Sequence, residues 1–277
     1  LNEGDAVIMD RLDHASIIDA ARLSRARVFV YEHCSPSSLD KVLHRTRDYR
    51  NRLVVTDTLF SMDGDFAPLS QIADLCKSHG AWLMADDAHA VGVFGKNGYG
   101  MAEHFGLTGK IDILVGTLSK AFGSQGGFVC GSHELMDYLL NRARPFIYTT
   151  ALAPSACAAA LTALEIIQQE PARRTALLAL SANLHSVMKE SFRENCFPQG
   201  NLLSQIVPFR VGPADRAVQW AQSLLENNIF APAIRPPTVP KHQSRLRFSL
   251  TSEHKPEDIE QLIQSLKIIC APADNPA

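Results

Sequence analysis

The stretch Gly116-Thr117-Leu118-Ser119-Lys120-Ala121-Phe122-Gly123 decides the fold class of this chain. It directly follows the apolar run Ile111 to Val115, which has the length of a buried strand. Small and hydroxyl-bearing residues then surround a single lysine, as is typical where a strand gives way to a loop. The stretch therefore predicts a buried strand that ends beside a reactive lysine.

A pair of carboxylates follows an earlier apolar run. Asp86-Asp87-Ala88-His89 ends the run Ala81 to Ala85, so Asp86 and Lys120 would each lie where a strand of the same sheet ends. A lysine amine in that position can react with the aldehyde of pyridoxal phosphate, and an aspartate can hold the pyridine nitrogen protonated. His89 could hydrogen-bond the phenolate oxygen of the same cofactor. The two motifs together indicate a pyridoxal phosphate enzyme.

Three other interpretations of these residues stay open. Lys120 could be an ordinary surface lysine, because an unperturbed amine is protonated at neutral pH. Asp87 rather than Asp86 could face the ring, because successive side chains of a strand point to opposite sides. Asp86 and His89 could be two ligands of a metal ion, but no third ligand follows at a convincing spacing, so we expect no metal.

Composition and charge exclude some classes of function. The 277 residues are 46% hydrophobic and 20% charged, which is ordinary for a globular protein with a sizeable core. Lys and Arg number 27 against 29 acidic residues, for a formal charge of −2. No broad positive field therefore points to nucleic acid or to an anionic membrane, and we expect neither as a partner.

The cysteines indicate the compartment. Six of them are scattered along the chain without a Cys-x-x-Cys pair, and most lie in apolar runs. This pattern favours buried thiols in a reducing compartment, so we expect a cytoplasmic protein. No apolar run reaches the ~20 residues that a helix needs to cross a bilayer.

The first two thirds of the chain alternates short apolar runs with amphipathic stretches, which predicts an α/β fold with a mostly parallel sheet. The predicted strands are Ala6–Met9, Arg27–Tyr31, Leu53–Thr56, Ala81–Ala85, Ile111–Val115 and Gly127–Cys130. The predicted helices between them include Ala15–Ser24, Ser38–Arg47 and Leu69–His79.

The pattern changes from Pro154 onward. An alanine-rich helical stretch runs to Gln169, Pro171 interrupts it, and a second long helical pattern covers Arg173 to Asn195. We interpret the interruption as a domain boundary, with a large domain over residues 1–165 and a small α/β domain over 166–277. The remaining predicted elements are Gln205–Val211, Ala214–Asn228, Ala231–Ala233 with Leu246–Leu250, and Pro256–Cys270.

Imidazole and hydroxyl groups elsewhere could contact the cofactor. His14 opens a helical stretch after the first strand and could stack on a flat ring, although a lone histidine is more often a surface or capping residue. Ser61 could donate to the phenolate oxygen, whereas the Asp63-Gly64 that follows it is also an ordinary turn. Further hydroxyls for a phosphate are offered by Thr117, Ser119, Thr149 and Thr150.

These motifs resemble those of the α-oxoamine synthase family of fold-type I pyridoxal phosphate enzymes, over essentially the whole chain. The matching stretches are Asp10-Arg11-Leu12-Asp13-His14-Ala15-Ser16, Phe60 to Asp65, Asp86 to His89, Gly116 to Ala121, and the pair Thr149 and Thr150. The resemblance implies that His14 stacks on the cofactor ring and that Ser61 donates to the phenolate oxygen. It also implies that the threonine pair reaches the phosphate bound by a neighbouring subunit, and hence a homodimer with shared active sites.

The resemblance also implies substrates. The segment Ala233 to Pro240 is similar to that of family members that condense L-alanine with a pimeloyl thioester, in which its Arg and Thr contact substrate. Arg235 and Thr238 are the matching residues here. We therefore expect a decarboxylative condensation of these two substrates, with CoA or an acyl carrier protein as the acyl carrier. Lys120, His14 and Asp86 would be its catalytic residues.

The chain departs from the family pattern at three places. The family's Asn before the stacking histidine is Asp13 here, and Asp57-Thr58-Leu59 stands where Glu-Gly is usual. Family members also have about a hundred residues ahead of the segment that matches Leu1, including a Gly-aromatic pair for the phosphate and an arginine that meets substrate. We therefore expect a fragment of a longer protein, with an incomplete large domain.

Other functions stay open. A sister reaction, of glycine with acetyl-CoA or of serine with a long-chain acyl donor, uses the same motifs, although Arg235-Pro236-Pro237-Thr238 weighs against it. A truncated, non-catalytic family member that serves as a structural partner is a second alternative. A hydrolase built from Ser61, His89 and Asp86 is a third, but it lacks a Gly-x-Ser-x-Gly elbow.

Overall fold

The computed structural model describes residues 1–193, 196 and 202–270, in two compact units. Unit 1 consists of Leu1–Phe60 and Phe66–Pro171, and unit 2 consists of Ser61–Asp65 and Ala172–Ala277. The predicted boundary between residues 165 and 166 lies inside a helix of unit 1, and the predicted helix end at Asn195 lies outside the described residues. In the described part of the chain, no helix is long and apolar enough to span a membrane.

Unit 1 is built on a six-stranded sheet with the order β2-β1-β3-β4-β5-β6. Its strands are β1 (Ala6–Asp10), β2 (Arg27–Tyr31), β3 (Arg52–Asp57), β4 (Trp82–Asp86), β5 (Ile113–Thr117) and β6 (Gly127–Cys130). The first five strands are parallel, and β6 pairs antiparallel with β5. The sheet is therefore mostly parallel, as the alternation of apolar runs and amphipathic stretches predicts.

Seven helices of unit 1 connect or follow the strands. They are α1 (Ala15–Leu23), α2 (Pro36–Arg45), α3 (Leu69–His79), α4 (Met101–His104), α5 (His133–Arg142), α6 (Arg144–Ile147) and α7 (Pro154–Gln169). Helix α2 begins with Pro36 after the N-cap Ser35, whose hydroxyl accepts the Ser38 N–H. Helix α3 ends at Gly80, whose φ of +62° is a left-handed conformation that glycine adopts at little cost.

The core of unit 1 lies between the central strands and their helices. Helix α1 packs its buried Ile17 and Ala21 against Val7, Met9 and Val55, which point to one face of β1 and β3. Each Val, Ile or Met side chain of this group contributes roughly 1.5–3 kcal/mol when it is fully buried. This packing holds the strands rigid, so the residues at their carboxyl ends occupy defined positions.

Unit 2 contains a three-stranded antiparallel sheet in the order β7-β9-β8. Its elements are α8 (Pro171–Ser191), β7 (Ile206–Gly212), α9 (Ala214–Glu226), β8 (Ala233–Ile234), β9 (Ser244–Ser249) and α10 (Pro256–Cys270). The short segment Ser61–Asp65 joins this unit, because the Ser204 hydroxyl donates to the Gly64 carbonyl at 3.1 Å. This placement differs from the expectation that Ser61 belongs to the large domain.

Candidate active site

The carboxyl ends of neighbouring parallel strands bring the acidic motifs and the lysine motif to one edge of the sheet. Asp57, the last residue of β3, lies opposite Asp86, the last residue of β4. Asp86 in turn lies opposite Val115 of β5, two residues before that strand ends at Thr117. Lys120 follows three residues later, close enough for its positive charge to oppose part of the rise in the pKa of Asp57 that burial causes. The structure therefore places Asp86 and the lysine loop on adjacent strands, as the sequence predicts.

The loop that carries Lys120 is held by its own backbone. The Leu118 N–H donates to the Gly126 carbonyl at 2.9 Å, and the Ser124 N–H donates to the Leu118 carbonyl at 2.8 Å. The hydroxyls of Thr117 and Ser119 lie 2.7 Å apart, at the exposed side of this loop. These hydrogen bonds hold the backbone of the loop in place, whereas the Lys120 side chain is exposed. Its amine can therefore be reached by a ligand.

The two adjacent carboxylates Asp86 and Asp87 have different environments. Asp87 is buried: its Oδ1 accepts the Thr58 hydroxyl at 2.5 Å, and its Oδ2 accepts the Met101 N–H at 3.0 Å. Gly100, at φ +90°, lies so close that an added Cβ would overlap Asp87 Oδ2. Asp86 is only half-buried, and its Oδ1 accepts the N–H of Ala88 at 3.0 Å. Asp87 is thus engaged within the fold, and Asp86 is the carboxylate that remains available to a ligand.

A layer of buried carboxylates continues from Asp86 toward β1. Asp57 Oδ2 accepts the His14 N–H at 2.8 Å, and the Asp57 N–H donates to Asp13 Oδ1 at 2.9 Å. Asp13 Oδ2 in turn accepts the N–H of Asp10. Burial, followed by the negative charge of Asp86, raises the pKa of Asp57 to about 7. Burial and the charge of Asp57 likewise raise the pKa of Asp13 well above its ordinary value.

Asp13 and Asp57 are two residues at which the sequence departs from the pattern that it resembles. The Asp57 carboxylate accepts the His14 N–H, and the Asp13 carboxylate accepts the Asp57 N–H. Together they connect the end of β3 to the loop that carries His14. A carboxyl group whose pKa is near 7 also changes its charge close to Lys120 in the neutral pH range.

His14 is the N-cap residue of α1. Its Nδ1 accepts the Ser16 N–H at 3.3 Å and lies 2.8 Å from the Ser16 hydroxyl, and its ring is exposed. Because Nδ1 acts as an acceptor, the neutral ring carries its hydrogen on Nε2. His14 therefore caps α1, which was one of the two roles considered from the sequence. Its exposed Nε2–H stays available as a donor.

The remaining predicted residues of unit 1 are less closely tied to this edge. His89 is half-buried, in the turn that follows Asp86. Thr149 and Thr150 are exposed, between α6 and α7. Within the described ranges, no group of three side chains with metal-ligating atoms includes Asp86 or His89.

The predicted residues of unit 2 lie on two loops. Ser61 is half-buried, and its carbonyl accepts a hydrogen bond from Arg247 Nη1 at 3.3 Å. Arg235 and Thr238 are exposed, and the Thr238 N–H donates to the Arg235 carbonyl at 3.1 Å, which closes a turn around the two prolines. The buried Val239 then attaches this loop to the unit.

Two arginines of β9 were not singled out from the sequence. Arg245 is buried, and its Nη1 contacts Asp63 Oδ1 at 2.5 Å and the Met62 carbonyl at 3.1 Å. Arg247, two residues on, is half-buried; burial lowers its pKa, and its Nε has no hydrogen-bond partner among the described residues. A partly buried cation with an unused donor is suited to bind a carboxylate. The sequence offers one signal, two arginines at alternate positions of a short strand.

Comparison with known proteins agrees with this architecture. Residues 1–266 match the family described as aminotransferase class I and II. The chain is 47% identical over 262 residues to the 8-amino-7-oxononanoate synthase of Anaeromyxobacter dehalogenans, and 44% identical over 264 residues to that of Symbiobacterium thermophilum. Each alignment covers 95% of this chain, but only 65% and 66% of the two relatives. The chain therefore spans about two thirds of their length.

Solved structures have the same fold. A serine palmitoyltransferase from S. paucimobilis with a bound PLP–myriocin aldimine superposes with a TM-score of 0.92 and is 34% identical, covering 97% of this chain and 67% of that one. An 8-amino-7-oxononanoate synthase from Francisella tularensis superposes with a TM-score of 0.81 and is 31% identical, covering 97% and 75%. The fold is that of the fold-type I pyridoxal phosphate transferases. The chain belongs to the aminotransferase class I and II family.

Proposed function

We propose that the chain carries the catalytic part of a pyridoxal phosphate-dependent acyltransferase that makes 8-amino-7-oxononanoate, a precursor of biotin, from L-alanine and a pimeloyl thioester. The observation that carries the proposal is the placement of Lys120 and Asp86 at the carboxyl ends of the adjacent strands β5 and β4. The identity of 47% to an 8-amino-7-oxononanoate synthase supports the choice of substrates.

The chemical groups at this edge fit the cofactor. An exposed primary amine, Lys120, suits its aldehyde, and the half-buried carboxylate of Asp86 suits the N–H of its ring. The hydroxyls of Thr117 and Ser119 suit its phosphate. We assign His14 to the face of the ring, and Ser61 and His89 to its phenolate oxygen. Thr149 and Thr150 would reach the phosphate held by a second copy of the chain, so the protein would act as a homodimer.

When bound, pyridoxal phosphate withdraws electrons from the Cα of an amino acid attached to it. Asp86 supports this effect, because its negative charge keeps the ring nitrogen protonated. The Lys120 amine takes the Cα proton of L-alanine and later returns a proton to the same carbon. His14 donates its Nε2–H to the carbonyl oxygen of the thioester, since its Nδ1 already accepts the Ser16 N–H.

The proposed reaction forms one carbon–carbon bond and breaks two bonds. Cα of L-alanine, having lost its proton to Lys120, joins the carbonyl carbon of the pimeloyl thioester. The carbon–sulfur bond breaks, and the thiolate of CoA or of an acyl carrier protein leaves and takes a proton from water. The bond from Cα to the carboxylate then breaks, and carbon dioxide departs. Arg235 and Thr238 are assigned to substrate by resemblance, and Arg247 is a second cation suited to the carboxylate.

A sister reaction is the second candidate, because the serine palmitoyltransferase superposes with the higher TM-score of the two structures compared, 0.92 against 0.81. That enzyme and this chain share the fold, so the fold alone does not separate the two reactions. The amino acid that is consumed does separate them. L-alanine supports the leading proposal, whereas L-serine or glycine would support a sister reaction.

The cysteines bear on the compartment. None of the six, all within the described residues, forms a disulfide. The expectation of buried thiols was wrong for most of them, because only Cys76 is buried, and Cys130 and Cys157 are exposed. We place the protein in the cytoplasm, where thiols stay reduced.

The experiment compares the purified protein with Lys120→Ala and with Lys110→Ala, which replaces an exposed lysine just ahead of β5. Pyridoxal phosphate is added, followed by L-alanine, while the visible absorbance is recorded. Borohydride reduction and peptide mapping then locate the attached cofactor. We expect a visible band that L-alanine shifts, an adduct on Lys120, and loss of both only in Lys120→Ala. An adduct spread over several lysines would contradict the proposal.

A further inference from the structure

Helices α2 and α3 bring two histidines and an aspartate together, away from the sheet edge described above. Asp40 Oδ1 lies 2.9 Å from His79 Nε2 and 3.7 Å from His44 Nε2. The three ligand atoms all lie within 4.8 Å of one another, and the two imidazole rings are 4.7 Å apart and perpendicular. Both rings thus present the same nitrogen to a single carboxylate oxygen.

The two helices hold these side chains in place. Asp40 and His44 are four residues apart in α2, so they lie on one face of that helix. His79 is the last residue of α3; Gly80 ends the helix there, and Arg52 Nη2 donates to the His79 carbonyl. Leu43 of α2 and Cys76 of α3 are buried in the same unit, so both helices are anchored by their apolar faces.

Hydrogen bonding accounts for only one of the two contacts of Asp40 with the histidines. One hydrogen bond links His79 to Asp40, but the 3.7 Å distance from His44 to the same oxygen is too long for a second one. A divalent ion bound about 2.0–2.2 Å from imidazole nitrogen and carboxylate oxygen separates tetrahedral ligand atoms by about 3.3 Å. The observed separations of 2.9 and 3.7 Å lie on either side of that value.

We propose that Asp40, His44 and His79 form a binding site for a divalent transition metal ion of the zinc class, which links α2 to α3. Two neutral imidazoles and one carboxylate are ligands that such ions prefer. The His44 side chain is 67% exposed and that of Asp40 is 42% exposed, so water can complete the coordination. The bound ion joins two helices of unit 1 and therefore stabilises the folded state against unfolding.

A second group of possible ligands, Asp10 with His33 and Cys34, is less suited. Asp10 already accepts hydrogen bonds from the Leu12 and Cys34 N–H groups, and its Oδ1 lies 2.8 Å from His33 Nδ1. Its carboxylate is buried and used to hold the loop after β2 in place. This group serves as a comparison in the experiment.

The test titrates Zn²⁺ into the tag-free purified protein after removal of metals with a chelator. Binding is followed by calorimetry, and the unfolding temperature is measured with and without Zn²⁺. We expect one tight site and a rise in the unfolding temperature. His44→Gln should weaken binding by at least about 10-fold and abolish the rise. His133→Gln, an exposed histidine of α5, and His33→Gln should leave both unchanged.

His44→Gln is the decisive variant, because it removes a mostly exposed ring and leaves the hydrogen bond between Asp40 and His79 intact. Asp40→Asn, a second variant, should weaken binding by a similar factor. Wild-type protein that takes up no Zn²⁺ would overturn the proposal. So would equal affinity in wild type and His44→Gln, which would place the bound ion elsewhere.

Discussion

Asp57 and Asp86 lie directly opposite each other at the ends of β3 and β4. Burial of Asp57 and the negative charge of Asp86 raise the pKa of Asp57 to about 7, while the charge of Lys120 acts in the opposite direction. The carboxylate that we assign to the cofactor ring therefore has a neighbour that gains or loses a proton near neutral pH. Any change in the charge of Asp86 or Lys120 is expected to shift this equilibrium.

The raised pKa of Asp57 makes stability depend on pH. Its folded-state pKa of about 7 is above the ordinary value of 3.8, so between pH 4 and pH 7 the folded chain keeps a proton that the unfolded chain loses. Stability therefore falls as pH rises through this window. The side chain of Asp57→Asn cannot ionise. On going from pH 5 to pH 8, the free energy of unfolding of wild type should therefore fall by about 2–4 kcal/mol relative to that of the variant.

The measurement is denaturant unfolding of both proteins at pH 5 and pH 8, without added cofactor. Asp137→Asn, which removes an exposed carboxylate of α5, serves as the control and should follow wild type at both values. If Asp57→Asn and wild type show the same pH dependence, Asp57 does not keep its proton in the folded state.

The strands and most helices of both units could be predicted from the sequence, because apolar runs and amphipathic stretches determine them locally. Strand β5 was predicted over Ile111–Val115 but spans Ile113–Thr117. The reason is that Asp112 lies outside the strand, where its carboxylate accepts the Leu83 N–H at 2.8 Å. Helices α4, α5 and α6 were not predicted. α4 and α6 have only four residues each, and none of the residues of α5 is buried.

The site was predictable where a short motif carries it, as with Asp86 and Lys120. Contacts between residues distant in the chain were not predictable. Ser61 follows β3 closely, yet the arginines of β9, about 185 residues later, hold its segment. The roles of Arg245 and Arg247 depend on that contact, so the sequence alone showed only two arginines in a strand.

Asp86 and Asp87 should respond differently to the same substitution. Asp86→Asn removes the charge assigned to the ring nitrogen, and we expect at least about a 100-fold fall in kcat with little loss of stability. Asp87→Asn disturbs the hydrogen bonds from Thr58 and Met101, and it should lower the free energy of unfolding by about 1–3 kcal/mol. Steady-state kinetics and thermal unfolding of both variants check this. If Asp87→Asn instead lost kcat and Asp86→Asn lost stability, Asp87 would be the partner of the cofactor.

Gly100 should tolerate no side chain. Its φ of +90° disfavours any other residue, and an added Cβ would overlap Asp87 Oδ2. Gly100→Ala is therefore expected to lower the free energy of unfolding by about 2–4 kcal/mol. Gly106→Ala is the matched control: φ there is +65°, but nothing lies within 4 Å of the added Cβ. It should cost only about 1 kcal/mol, and equal costs at the two positions would show that overlap with Asp87 is unimportant.

The two arginines of β9 should have different roles, Arg245 in stability and Arg247 in substrate binding. Arg245 is buried against Asp63 and the Met62 carbonyl, so Arg245→Gln removes a buried cation from the half-buried Asp63 carboxylate and should cost about 3 kcal/mol of stability. Arg247 has a buried Nε without a partner among the described residues, so Arg247→Gln removes a cation that the fold does not fully use. Its stability should change by less than about 1 kcal/mol.

Arg247→Gln should instead weaken binding of the amino acid. Loss of a charge-assisted hydrogen bond to a carboxylate costs about 1.5–3 kcal/mol, which corresponds to a rise in KM for L-alanine of roughly 10-fold to 100-fold. Arg247→Lys keeps the charge but not the paired N–H donors, so its KM for L-alanine should lie between those of wild type and Arg247→Gln. Initial rates at varied L-alanine and fixed thioester concentration provide the test. An unchanged KM in Arg247→Gln, with the fold intact, would remove Arg247 from the substrate site and leave Arg235 as the cation for the carboxylate.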